Sequence, residues 1–171
     1  MRFKFLSVLA AGLLLAACSS TPEDTAGSTA GGSTTGGGTG TVAGTVVPGS
    51  QEDLVQNVGD RVYFGFDKYD LTPEAQATLE RQAAWMQQHP AVTVTVEGHA
   101  DERGTREYNL ALGERRANSV KNYLVALGVD QNRVTTISYG KERPAVPGSD
   151  EDAWAQNRRG VTVVTGGAPS S

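Results

Sequence analysis

Val92-Thr93-Val94-Thr95-Val96-Glu97-Gly98-His99 alternates apolar and polar side chains. The chain then passes through Ala100-Asp101-Glu102-Arg103-Gly104-Thr105-Arg106 into a long run of helix formers beginning near Glu107. Val92, Val94 and Val96 fall on one side and Thr93, Thr95 and Glu97 on the other, which predicts a strand with one buried and one wet face. In the helix, Leu110, Gly113, Ala117, Val120, Leu124 and Leu127 recur at the spacing of a core stripe, and Gly128 supplies the break. A second stripe, Asn109, Leu112 and Arg116, lies about a quarter turn away on a 3.6-residue helix and directs Arg116 past the sheet edge toward Asp101. Gly98 and Gly104 read as backbone positions, one for close approach in a strand and one for a tight turn.

The flanks repeat this strand-and-helix logic. Arg61 to Phe66 predicts a strand with Val62, Phe64 and Phe66 on one face, and Asp67-Lys68-Tyr69-Asp70 turns away from its end. Thr72-Pro73-Glu74 is a helix start, with Thr as N-cap, Pro at the first position and an acid in the first turn. Ala75, Leu79, Ala83 and Met86 share that helix's apolar face. It stops at His89-Pro90, because a residue before proline is pushed out of the helical region. Before the first strand, Glu52 to Gly59 reads as a short helix or an ordered lead-in. After the central helix, Arg133 to Tyr139 reads as a third strand, Asp152 as the cap of a short helix through Asn157-Arg158-Arg159, and Gly160 to Thr165 as a fourth strand. The order predicts an α/β (α+β) two-layer sandwich over residues 51–166, a mixed four-stranded sheet with helices on one face. Residues 167–171 form a loose tail.

The beginning of the chain is a different material. Met1-Arg2-Phe3-Lys4 is basic and Phe5 to Leu15 is apolar, a run of about 16 Å at 1.5 Å per residue, too short for a bilayer core of about 30 Å. Residues 1–17 therefore read as a secretory signal, and Leu15-Ala16-Ala17-Cys18 has the form of a lipoprotein processing junction. Cys18 is the only cysteine in the chain. A lone thiol makes no internal disulfide, whereas lipidation gives it a use as a membrane anchor. The rest of residues 18–50 contains nine of the 21 glycines and eight threonines with almost no large apolar side chains. Such a segment cannot bury enough surface to offset ordering entropy, and it reads as a flexible tether of about 30 Å mean span.

Charge and composition exclude several classes. Without residues 1–17 the chain has 13 Lys and Arg against 19 Asp and Glu, a net −6, which argues against nucleic acid as a partner. His89 and His99 are the only histidines, so no metal cluster and no cofactor motif is expected. His99, Asp101 and Glu102 can be imagined as acid, base or ligands in a hydrolase of the cell wall, but there is no nucleophilic elbow. A structural tether without ligand specificity is the remaining alternative. Trp85 and Trp154 read as packing residues, His89 as a helix C-terminal histidine, and Arg103, Arg106 and Arg115 as solvated charges. Arg158 and Arg159 read as complements to a helix C-terminus.

Several runs occur in order at matching spacings: Val96 to Thr105, Tyr108-Asn109, Leu112-Gly113-Glu114-Arg115-Arg116-Ala117-Asn118 and Ser138 to Val146. Through them the chain, over about residues 52–165, resembles the OmpA-like C-terminal domain family. The resemblance implies a non-catalytic domain that binds the side-chain end of diaminopimelate in peptidoglycan stem peptides, with Asp101 and Arg116 at the two binding positions. Phe66, Asp67, Thr105, Asn109 and Leu112 are the implied pocket neighbours, and the family's similar arginine pair leaves Arg158 and Arg159 a structural role near the site. An aspartate can hold an ammonium and a guanidinium can grip a carboxylate through two parallel hydrogen bonds, so together they suit one zwitterionic carbon. By similarity to sorted bacterial lipoproteins, Ser19 after the lipidated cysteine implies the outer membrane, on its periplasmic face. The resemblance also implies the Tol system, with the β-propeller protein TolB as a partner, TolA as a further one, and a role in envelope integrity during cell division. The loop bearing Asp101 and Glu102 would then serve both wall and TolB.

Overall fold

The computed structural model describes residues 46–168. The signal, Cys18 and all of the tether before residue 46 lie outside the described residues, as do residues 169–171. The elements follow in the order α1 (Gln51–Asp53), β1 (Arg61–Tyr63), α2 (Pro73–Gln88), β2 (Thr93–His99), α3 (Arg106–Ala126), β3 (Val134–Gly140), α4 (Glu151–Asn157) and β4 (Arg159–Gly166). The four strands form one sheet in the order β1-β4-β2-β3. β2 pairs parallel with β3, and β4 is antiparallel to both β1 and β2. The mixed four-stranded, two-layer fold expected from the sequence is borne out.

The core lies between the sheet and helices α2 and α3. Val62, Val94, Val96 and Val134 from the strands meet Leu79, Ala83 and Met86 of α2 and Ala117, Val120 and Leu124 of α3. Two buried polar side chains of this layer, Gln82 and Thr162, are paired. Gln82 donates to the Gly59 carbonyl, and the Thr162 hydroxyl lies 2.8 Å from Gln82 Oε1. α2 starts and stops where expected: the Thr72 hydroxyl accepts from Ala75 N–H, Pro73 opens the helix, and His89 closes it. Arg133 then donates to the carbonyls of Met86 and His89 at that end. Among the described residues no helix is long and apolar enough to cross a membrane.

Four details differ from the sequence-based expectation. β1 ends at Tyr63, and although Val62 and Phe64 are buried, Phe66 is 59% exposed. The chain leaves the sheet at Gly65, so the period-2 pattern no longer assigns a face. The last helix is capped by Asp150, whose side chain accepts from Ala153 N–H, and not by Asp152; Arg159 already belongs to β4. In α3 the core stripe is not the more buried one throughout: Asn109, Leu112 and Arg116 of the second stripe are buried, while Leu110 and Leu127 are half-buried. Trp85 is more than packing, because its indole N–H donates to Asp53 at 2.8 Å.

That last bond belongs to a clamp. Asp53 also accepts from the backbone N–H of Gly49 and from Asn57, and Ser50 caps α1. Gln51 Oε1 accepts from Val164 N–H near the end of β4. The incoming chain is thereby fastened to the C-terminal ends of α2 and β4. These bonds hold the Asp53 carboxyl below the usual carboxylate range, with the Trp85 indole contributing most.

Candidate functional site

At the opposite end of the sheet, β2 runs into Ala100 and Asp101, the chain turns at Gly104 with φ +92°, and Thr105 caps α3 by accepting from Tyr108 N–H. A cleft of about 220 Å³ opens there, lined by Phe66, Asp67, Asp101, Arg103, Gly104, Tyr108, Asn109, Leu112 and Arg116. That is smaller than the roughly 300–1,000 Å³ of a pocket for a whole drug-sized ligand, so it has room for one end of a chain. Six of the seven residues singled out from the sequence line it. Thr105 does not, and its hydroxyl is spent on the helix N-terminus.

Arg116 is 0% exposed, and its guanidinium is held by backbone. Nε donates to Lys68 O at 2.8 Å, Nη1 to His99 O at 2.8 Å and Nη2 to Gly65 O at 3.1 Å. A guanidinium has five N–H groups, so two are not taken by the backbone, on a side chain that lines the cleft. Burial pulls its pKa down to about 10, a drop opposed by the nearby Asp101 carboxylate, and it is still a full cation at neutral pH. Arg116 is therefore neither a surface residue nor a direct ion-pair partner of Asp101.

Asp101, 5% exposed, is gripped from elsewhere. Arg103 donates Nη2 to Oδ2 at 2.6 Å and Nε to Oδ1 at 3.3 Å, its backbone N–H reaches Oδ1 at 3.1 Å, and Arg158 Nη1 lies 3.4 Å from Oδ2. Burial alone would push the Asp101 carboxyl up; the Arg103 and Arg158 bonds outweigh it and hold the group below the usual range. Arg103 is thus no solvated charge. Its guanidinium lies 4.1 Å from the centre of the Phe66 ring and 4.0 Å from that of Trp154, sandwiched between them. Trp154 in turn donates to Glu102 at 3.1 Å. Glu151 closes a ring of alternating charges, accepting from Arg158 at 2.6 Å and lying 3.8 Å from Arg103.

The sequence reading missed the sandwich because its members lie about 40 and 50 residues to either side of Arg103. Only the three-dimensional return of β1 and α4 to one sheet end brings them together. Asp67 has φ +57°, a left-handed conformation that aspartate tolerates better than most residues. The Tyr108 hydroxyl donates to its carboxylate across the mouth of the cleft. Asn109 donates to Arg103 O at 2.8 Å and fixes the loop.

His99 does not line the cleft. Its ring is 2% exposed, with the Tyr139 ring 5.5 Å away, and Nε2 is 3.4 Å from Glu97 Oε2 without hydrogen-bond alignment, so both ring nitrogens lack a partner. Burial, reinforced by the charges of Arg159 and Arg143, lowers its pKa to about 4. Between the ordinary value of 6.5 and about 4 the unfolded chain binds this proton and the folded chain does not, so stability falls as pH falls through that window. Urea unfolding at stepped pH is expected to lose stability from pH 6.5 downward, and His99→Gln is expected to flatten that slope. An identical slope in the variant would assign it to other groups.

A model of the OmpA family matches residues 63–158. The peptidoglycan-associated lipoprotein of Rhizobium meliloti is 52% identical over 161 residues, covering 92% of this chain and 85% of the relative. That of Haemophilus influenzae is 50% identical over 157 residues, covering 91% and 94%. The crystal structure of the peptidoglycan-associated lipoprotein from Burkholderia pseudomallei aligns at a TM-score of 0.61 and 44% identity, over 62% of this chain and 90% of that one. The C-terminal domain of Helicobacter pylori MotB shares the fold, at a TM-score of 0.58 and 24% identity. The chain belongs to the OmpA family and groups within it with the peptidoglycan-associated lipoproteins.

Proposed function

We propose that this chain is an outer-membrane lipoprotein whose folded head binds peptidoglycan non-covalently through the zwitterionic end of diaminopimelate. On this reading Cys18 carries the lipid, the glycine-rich segment is the leash, and the Tol–Pal system, with TolB and TolA, supplies the protein partners. The observation that carries the ligand assignment is a pair of opposite charges in the wall of one small cleft. Asp101 offers a carboxylate held ionised, and Arg116 offers two N–H groups beyond the three given to backbone. The Leu112 side chain and the Phe66 ring give the aliphatic stem of the ligand an apolar wall.

The same facts weigh against a hydrolase. A general acid for glycoside cleavage needs a carboxyl held protonated by a raised pKa, and the bonds to Asp101 lower it. The head, residues 46–168, is expected to cosediment with insoluble peptidoglycan containing diaminopimelate and to bind the lysine type at least about tenfold more weakly, a difference of about 1.4 kcal/mol. Equal retention on both would overturn the ligand assignment in favour of an unspecific tether.

A further inference from the structure

A carboxylate offers about four acceptor positions on its two oxygens. On Asp101 all are engaged, Oδ1 by the backbone N–H and Nε of Arg103, Oδ2 by Arg103 Nη2 and Arg158 Nη1. An incoming ammonium has no place on this carboxylate until a donor leaves. Arg158 is buried and tied to Phe64 O at 3.0 Å and to Glu151. Arg116 is held by three carbonyls. The Arg103 side chain is 30% exposed and makes hydrogen bonds only to Asp101 among the described residues, with Glu151 no closer than 3.8 Å. Of the donors on Asp101, the Arg103 side chain is the one that no backbone carbonyl and no second hydrogen-bond acceptor among the described residues ties in place, while the Phe66 and Trp154 rings about 4 Å from its guanidinium still hold its cation once a donor bond is released.

We infer that Arg103 determines the specificity of the cleft: its pair with Asp101 closes the empty site and is opened by a zwitterionic carbon, whose ammonium takes Asp101 while its carboxylate, facing Arg116, also takes the guanidinium edge that Asp101 releases. This rests on the diaminopimelate reading and adds the reason for its selectivity. A zwitterion breaks one ion pair and leaves two in its place. The ammonium end of a lysine breaks the same pair and leaves Arg103 with only Glu151, 3.8 Å away, as a counter-charge, so the resident pair acts against it. Discrimination of this kind lies in the wrong ligand's unpaired charge as much as in the right ligand's contacts.

The test is calorimetric titration of the full-length chain in detergent with L-Ala-γ-D-Glu-meso-diaminopimelate and with L-Ala-γ-D-Glu-L-Lys. Arg103→Gln and Arg103→Ala are expected to tighten the lysine peptide and to shrink the ratio of the two dissociation constants by about tenfold, which is about 1.4 kcal/mol. A ratio unchanged in both variants, or both peptides weakened alike, would overturn the inference and leave Arg103 a structural or unspecific contact. A wild-type ratio of one would instead overturn the diaminopimelate reading itself. Should the variants fold poorly, the wild-type Arg103 Nε–H resonance serves: saturation with the diaminopimelate peptide is expected to shift it, and an unmoved signal would overturn the exchange.

Discussion

Replacing Arg116 with alanine is expected to lower the unfolding free energy by about 3–5 kcal/mol, in the range seen when one partner of a buried charged contact is removed. The side chain fastens two separate segments to α3, since it holds the carbonyls of Gly65 and Lys68 after β1 and of His99 at the end of β2. Each buried acceptor left without a donor costs about 1–3 kcal/mol, and water entering the space recovers only part. Arg116→Lys should restore little, because a single ammonium on a flexible stem cannot fork toward three carbonyls. Urea unfolding of the two variants measures this. A loss under about 1 kcal/mol would mean that the three carbonyls find other donors. Binding should vanish as well, even where the variant remains folded, because the same group forms the floor of the cleft.

A second large effect is expected at Gly98. A Cβ built there would lie 1.8 Å from the carbonyl oxygen of Gly113 and 2.6 Å from its carbon, and one on Gly113 would lie 2.3 Å from Ser138 Oγ. The two glycines let α3 touch β2 backbone to backbone, and Arg116 sits less than one turn beyond Gly113. Gly98→Ala must therefore lift the helix from the strand, at a cost of about 3 kcal/mol, the upper end of ordinary overpacking because backbone cannot give way as a rotamer can. It should also pull the guanidinium away from His99 O, so ligand affinity should fall with stability. A variant that keeps both would show that the helix can slide at no cost.

These two residues also mark what was legible in the sequence. Alternation along Val92 to His99 and the helical period after Glu107 were enough for sheet, layer and the close approach at Gly98, since each depends on neighbours in the chain. The fate of Arg116 was not legible. A stripe rotated from the core looks solvent-facing on a helical projection, and only the return of Gly65 and Lys68 over that stripe buries it. Asp101 was recognised, but its partners were not: Arg103, two residues away, looks like any exposed arginine until Phe66 and Trp154 flank it. Likewise Phe66 fits the strand alternation by type and fails it by backbone, because the left-handed turn at Asp67 has no signature beyond an aspartate that tolerates it.

The clamp at Asp53 and the cleft at Asp101 sit at opposite ends of the sheet, and in the proposed bridging role that separation has a mechanical meaning. A pull between wall and membrane enters the head at residues 49–53 and leaves through the end of β2, so tension runs along the strands. Hydrogen bonds between β2 and its neighbours β3 and β4 lie across that line and must shear together, whereas a pull across the sheet would unzip them one at a time. Survival under tension is set by the rate of unfolding. Release of the Asp53 clamp alone would lengthen the path between wall and membrane by a few residues without parting any strand pair.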